Sequence, residues 1–179
     1  LGKQAAKLAA MDATEFHLFS PSTPPQLEAA RAVFRDYAAS LSLDLCPQDV
    51  ESELRHLPGD YAEPEGLLLL AQWCGQIAGC GAFRQQVDVD YPNACEMKRL
   101  YVRPAFRRLG LGRVLARELI GRACQAGYST MLLDTLDDME TARELYTTLG
   151  FIEVPPYHYS PVPGAHYLKV DLQGPLSDY

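Results

Sequence analysis

The run Leu100–Tyr101–Val102–Arg103–Pro104–Ala105–Phe106–Arg107–Arg108–Leu109–Gly110–Leu111–Gly112–Arg113 holds the most specific chemistry in the chain. An apolar stretch leads into a basic loop, two glycines stand two apart, and helix-forming residues follow at once. Such a segment suits an anion. Glycine lets backbone N–H groups turn inward and lets a ligand approach closely. A helix N-terminus adds about half a positive charge where those N–H groups point, and Arg107, Arg108 and Arg113 add full charges around it. Two common phosphate loops are excluded. A Walker loop requires Gly-Lys-Ser/Thr, and a dinucleotide fingerprint requires a third glycine where Leu115 stands.

The elements that must position this loop follow from periodicity. Thr14 to Phe19 reads as a short first strand. Thr23 is an N-cap ahead of Pro24 and Pro25, and Leu27, Ala30, Phe34, Tyr37 and Leu41 follow at helical spacing. A second helix starts at Pro47, carries Val50, Leu54 and Leu57, and stops at Pro58-Gly59. Leu67–Trp73 and Gln76–Gln85 flank Cys74-Gly75 as a hairpin, and Ala94–Val102 is a further strand. Gly110 to Ala126 is a helix with Leu111, Leu115, Leu119 and Ala123 on one stripe, closed by Gly127. Ser129 to Thr135 is a strand. Asp137-x-x-Glu140 resembles a capping box for a helix whose stripe is Met139, Ala142, Leu145, Tyr146 and Leu149. Phe151 opens another strand, and Ala165–Leu172 is the last. The order β-α-α-β-β-β-α-β-α-β-β predicts one α/β domain over 14–179, preceded by a tail over 1–13.

Composition narrows the function classes. Sixteen Lys and Arg against 23 Asp and Glu give a net charge of −7, which argues against a general nucleic-acid binder. The longest apolar run, Leu67–Ala71, is far too short to cross a bilayer. The five cysteines are scattered, with no C-x-x-C pair, as expected of reduced thiols in a cytoplasmic protein.

Arg107-x-x-Gly110-x-Gly112 resembles the [Q/R]-x-x-G-x-[G/A] pyrophosphate signature of the GNAT superfamily, the acyl-CoA-dependent N-acyltransferases. Upstream, Leu100-Tyr101-Val102-x-Pro104 matches the family's strand. Downstream, Ala142-x-x-x-Tyr146-x-x-Leu149-Gly150-Phe151 resembles its second signature. The resemblance implies a GNAT-like mixed central sheet, with two helices from the N-terminal half and two from the C-terminal half, and a cofactor cleft between splayed strands. It implies that acetyl-CoA is the acyl-donor cosubstrate. Its pantetheine arm would lie along Leu100, Tyr101 and Val102, and its pyrophosphate on Arg107, Arg108, Leu109, Gly110, Leu111, Gly112 and Arg113. Met139 stands where the family usually carries a cofactor-holding Asn, and its thioether cannot replace that amide.

Acetylating an amine poses two proton problems. At neutral pH a protonated alkyl amine withholds about 4.6 kcal/mol of nucleophile, and the departing thiolate must be stabilised. Tyr146 occupies the position where the family often has its tyrosine near the cofactor sulfur, and a phenol can donate to a thiolate; the alternative is a packing role in the helix stripe. Glu96, on the strand leading to the phosphate loop, resembles the strand Glu that relays the amine proton in one branch of the family. Alternation puts it on one face with Lys98, Leu100 and Val102. Its alternative is a structural or substrate-orienting carboxylate paired with Lys98 or Arg99.

Other residues fit bland roles better. Cys95 reads as a small buried residue rather than a thiol nucleophile. His158, His166 and Asp171 form no metal pattern, and Asp88 and Asp90 read as a solvated loop. The expected activity is acetyl transfer to a primary amine of a small molecule, amino acid or peptide, directly within a ternary complex. The competing class is a non-catalytic acyl-CoA sensor of the same fold. Acceptor-pocket walls are expected from the first two helices, the Gly59–Glu65 turn with Tyr61, and the 155–164 loop. No nucleic-acid or membrane partner is expected, and a homodimer stays open.

Overall fold

The computed structural model describes residues 16–41, 47–158 and 163–172. The expected tail over 1–13, the first residues of the first strand, Cys46 and residues 159–162 lie outside the described residues. Seven strands form one mixed sheet: β1 (Phe16–Phe19), β2 (Leu67–Trp73), β3 (Gln76–Gln86), β4 (Ala94–Val102), β5 (Thr130–Leu136), β6 (Ile152–Val154) and β7 (Ala165–Asp171). Their spatial order is β1-β2-β3-β4-β5-β7-β6, and β4/β5 is the parallel pair within an otherwise antiparallel sheet. The four helices are α1 (Pro24–Ser40), α2 (Pro47–Arg55), α3 (Leu111–Gln125) and α4 (Glu140–Thr148).

Local chemistry sets the helix ends. Thr23 caps α1 through a reciprocal box: its Oγ1 accepts from the Gln26 amide, and the Gln26 side-chain oxygen accepts from the Thr23 amide at 3.2 Å. Pro24 and Pro25 occupy the first turn, where no intrahelical N–H is needed. In α4 the expected box is absent. Met139 is the N-cap, with no side-chain cap bond, because the Asp137 carboxylate turns instead to the His166 ring.

Two apolar clusters sandwich the sheet. On one face α3 buries Leu111, Leu115, Leu119 and Ala123, and the cluster continues through Cys95, Met97, Met131, Leu133, Tyr146 and Phe151. On the other, α1 and α2 pack Val33, Phe34 and Leu54 over Leu68, Leu70, Ala82 and Tyr101. Burying each of the Val, Leu, Met and Phe side chains among them stabilises by about 1.5–3 kcal/mol relative to exposure.

One departure from regular pleating positions the site. Cys80 pairs with Tyr101 and Ala82 with Lys98, so Gly81 alone faces both Arg99 and Leu100. Arg99 takes φ +59°, in the left-handed region, and this extra residue makes a β-bulge. A Cβ on Gly81 would stand 2.8 Å from Leu119 Cδ1, so glycine lets α3 approach the bulged strand. The bulge resets the alternation. Glu96 and Lys98 share a face, as expected, but Leu100 and Val102 pack with the α3 cluster. The expected common face of Glu96, Leu100 and Val102 is therefore corrected.

Candidate active site

The parallel β4/β5 ladder has three rungs: Ala94 with Thr130, Cys95 with Met131, and Glu96 with Leu132. Beyond Glu96 the strands diverge. The stretch from Met97 to Val102 faces a gap, with Leu133–Leu136 on its far side. Leu100, Tyr101 and Val102 thus border an opening where β4 has no β5 partner.

Glu96 sits at the vertex of that opening and is 1% exposed. Its Oε1 is 3.3 Å from both Arg84 Nη2 and Lys98 Nζ. Arg84 lies directly across the β3/β4 ladder, and Lys98 also reaches Asp134 at 3.5 Å. The alternative pairing with Arg99 does not occur. Arg99 makes a two-pronged pair with Glu53 of α2, at 2.6 and 3.3 Å. Burial works to raise the Glu53 carboxyl, but bonding and charge from Arg99 outweigh it and hold that group below its ordinary value.

Glu96 Oε2 is buried without a hydrogen-bond partner among the described residues, as are Arg84 Nε and Tyr157 Oη. Tyr157 belongs to the loop between β6 and β7 and packs edge-on against Tyr167, centroids 5.2 Å apart. Burial first, and then the Glu96 charge, pushes its phenol far above the ordinary value. The two groups are therefore neighbours, although Tyr157 Oη makes no hydrogen bond of good geometry. Neither Arg84 nor Tyr157 was singled out by sequence motifs. The cross-strand register could have found Arg84; nothing local in the sequence brings Tyr157 to Glu96.

Beside these groups lies a cavity of about 360 Å³. Its walls come from the end of α2, the Leu57–Tyr61 turn and the inward side chains of β3 and β4, including Arg84, Lys98 and Arg99. Tyr61 donates to Glu53 at 2.5 Å and thereby braces that wall.

The basic loop is shaped by two left-handed residues, Arg108 at φ +64° and Gly110 at φ +83°. Gly110 is the N-cap of α3, and the first intrahelical bond runs from Val114 N to Gly110 O. The amides of Leu111, Gly112 and Arg113 therefore precede the helical ladder and are available to an acceptor. Arg107 lies over the Tyr101 ring at 5.7 Å and donates from Nε to the Val102 carbonyl. Arg107 and Arg108 are exposed and Leu109 is half-buried. Arg113 bonds Thr148 at the end of α4, 2.8 Å away. A Cβ on Gly112 would meet Leu145 and Val102 side chains at 3.6 and 3.9 Å, ordinary contacts. The half-buried Met139 takes a weak contact from the Thr135 hydroxyl at 3.8 Å.

Tyr146 is 7% exposed and packs against Phe151 within the α3-side cluster. Burial, followed by the fields of Tyr37 and Asp134, raises its phenol well above the ordinary value. Cys95 is wholly buried, its thiol pushed up to about 12 chiefly by burial, which is unsuited to a nucleophile at neutral pH. His166 lies between Asp137 and Glu153, away from Asp171. No cluster of three metal-ligating side chains occurs among the described residues, and no described helix is long and apolar enough to cross a membrane.

Comparison with known proteins gives a consistent result. A family model described as Acetyltransferase (GNAT) family matches residues 29–151. An uncharacterized N-acetyltransferase of Schizosaccharomyces pombe is 37% identical over 150 residues, covering 83% of this chain and 90% of that protein. A GNAT-family acetyltransferase structure from Staphylococcus aureus superimposes with TM-score 0.72 at 17% identity, over 88% of this chain and 99% of that one. A structure from Salmonella typhimurium with its cofactor acetyl-CoA gives TM-score 0.65 at 18% identity, over 92% and 98% of the two chains.

Proposed function

Because the chain belongs to the acetyltransferase (GNAT) family, we propose that it transfers an acetyl group from acetyl-CoA to a primary amine of a small molecule, amino acid or peptide, directly within a ternary complex. The observation that carries this reading is the end of the β4/β5 ladder at Glu96, which places a buried carboxylate where the sheet opens. The strand edge of Leu100 to Val102, which has no β5 partner, suits the amides of the cosubstrate arm. The amides of Leu111 to Arg113, with Arg107 and Arg108 nearby, suit its pyrophosphate.

Each residue then has a defined task. The two cations on Glu96 Oε1 anchor that oxygen, which leaves Oε2 to take the amine proton, directly or through water. Tyr146, with its phenol raised by burial, stays protonated at neutral pH. It therefore serves the departing sulfur by donating a hydrogen bond more than by giving up its proton outright. The Met139 thioether gives the cosubstrate only an apolar contact. A screen of polyamines, amino acids, aminoglycosides and lysine peptides, read by free CoA release, tests the proposal. Acceptor-dependent release is expected. Tight acetyl-CoA binding with no release for any amine would overturn it.

A further inference from the structure

Arg84 lines the cavity and Glu96 lies just behind it, so two unmet demands of opposite kind meet on one rung of the sheet at the cavity wall. Arg84 and Glu96 are cross-strand partners. Among the described residues, Arg84 Nε is a buried donor without an acceptor, and Glu96 Oε2 is a buried acceptor whose neighbouring hydroxyl, Tyr157 Oη, makes no hydrogen bond of good geometry to it. Leaving such groups unpaired is costly, most of all where they are charged. A ligand that satisfies both must bring a donor and an acceptor close together.

The charges on the cavity wall point the same way. Arg84, Lys98 and Arg99 face Glu53 and Asp60. Glu53 is already taken by Arg99 and Tyr61. Asp60 is 82% exposed and 3.9 Å from Arg84, the loosest ion pair in the site. Arg84 and Lys98 share the single oxygen Oε1, and Lys98 also reaches Asp134, at 3.5 Å. The Arg84 guanidinium thus has capacity for one more carboxylate, which needs to displace only an exposed aspartate.

We infer that the acceptor is an amine that also carries a carboxylate, an α-amino acid being the simplest, with its nitrogen at Glu96 Oε2 and its carboxylate on the Arg84 guanidinium. In an α-amino acid, nitrogen and the nearer carboxylate oxygen are about 3 Å apart, close enough to address two residues that sit opposite one another on a single rung of the ladder. The same donor–acceptor pair disfavours polyamines, whose second cation would meet Arg84 and Lys98. This assignment rests on the amine-acetylation reading above and narrows it.

The test compares initial rates of CoA release for a panel of L-amino acids, their methyl esters and the corresponding decarboxylated amines, on the parent enzyme and on Arg84→Gln and Arg84→Lys. For at least one side chain the free acid is expected to exceed its ester and amine by about 10- to 100-fold in kcat/KM, the worth of one charged hydrogen bond. In Arg84→Gln that preference should vanish, the KM of the free acid rising to that of its ester, while any loss of kcat from a less firmly held Glu96 falls equally on acid and ester. Arg84→Lys, which keeps the charge and the fold but lacks the fork, should retain part of it. Esters and amines acetylated as well as the acids, or a preference untouched in Arg84→Gln, would overturn the inference while leaving amine acetylation intact. Release with no amine of any kind would overturn the underlying activity instead.

Discussion

Arg84 and Glu96 stand directly opposite one another on β3 and β4, with Nη2 3.3 Å from Oε1. The pair holds one carboxylate oxygen, while Oε2 has no hydrogen-bond partner of good geometry among the described residues. It also means that Glu96 is held from its own sheet rather than by a distant loop.

Glu96→Gln keeps shape and removes proton affinity. The kcat of the variant should fall by about 10²–10⁴-fold below neutral pH, where the acceptor is almost wholly protonated. It should partly recover as pH nears the amine's own pKa. A pH profile of kcat decides the matter. An equal drop at every pH would defeat the general-base assignment, and a raised KM with level kcat would make Glu96 an orienting residue.

Tyr146→Phe removes one hydroxyl and keeps the ring against Phe151. Turnover is expected to fall about 10- to 100-fold, the loss of a hydrogen bond to a developing charge, while acetyl-CoA affinity by calorimetry changes little. Turnover within a factor of a few of the parent would make Tyr146 a packing residue.

Gly112→Asp tests the phosphate loop. Its Cβ has ordinary contacts available, so the melting temperature should hold. The new carboxylate would stand among the first amides of α3 and repel the pyrophosphate. Calorimetry should show CoA binding lost. Undiminished binding would move the anion site elsewhere.

His166 gives a pH-dependent stability. Hydrogen bonds to Asp137 and then Glu153 raise its pKa above the ordinary value, so its stabilisation is complete below that ordinary value and is lost as pH rises through the raised one. Asp137 is lowered, mainly by its bond to His166, so its share is lost only as pH falls toward its depressed pKa. Thermal melts of the parent against His166→Gln should differ more at about pH 6 than at about pH 8.5. An equal difference at both would remove the linkage.

Much of this site was legible in residue order. The Arg107–Gly112 motif and the strand Ala94–Val102 could be read directly, because glycine spacing and strand alternation are local signals. The bulge could not. Its extra residue is Arg99, an arginine at positive φ, where glycine or asparagine would have advertised the conformation. Strict alternation therefore put Leu100 and Val102 beside Glu96 when they belong to the α3 side. Asp137 misled for a related reason. A capping box and a cross-strand partner for His166 need the same carboxylate, and only the tertiary fold decides between them. Tyr157 was visible as part of an aromatic loop, but its closeness to Glu96 depends on how residues 155–158 fold back over β5 and β7.

The three rungs between β4 and β5 make the molecule two half-sheets joined at one end. The cluster under α3 spans both halves, whereas the cluster under α1 and α2 draws only on residues from 19 to 101. On the Glu96 side, the Lys98–Asp134 ion pair and the closeness of Tyr157 to Glu96 span the seam. Oil joins the halves on one face, and salt and hydroxyl on the other. The two halves are therefore held by unlike forces on their two faces, and a molecule wedged along β4 would act as a splint across them.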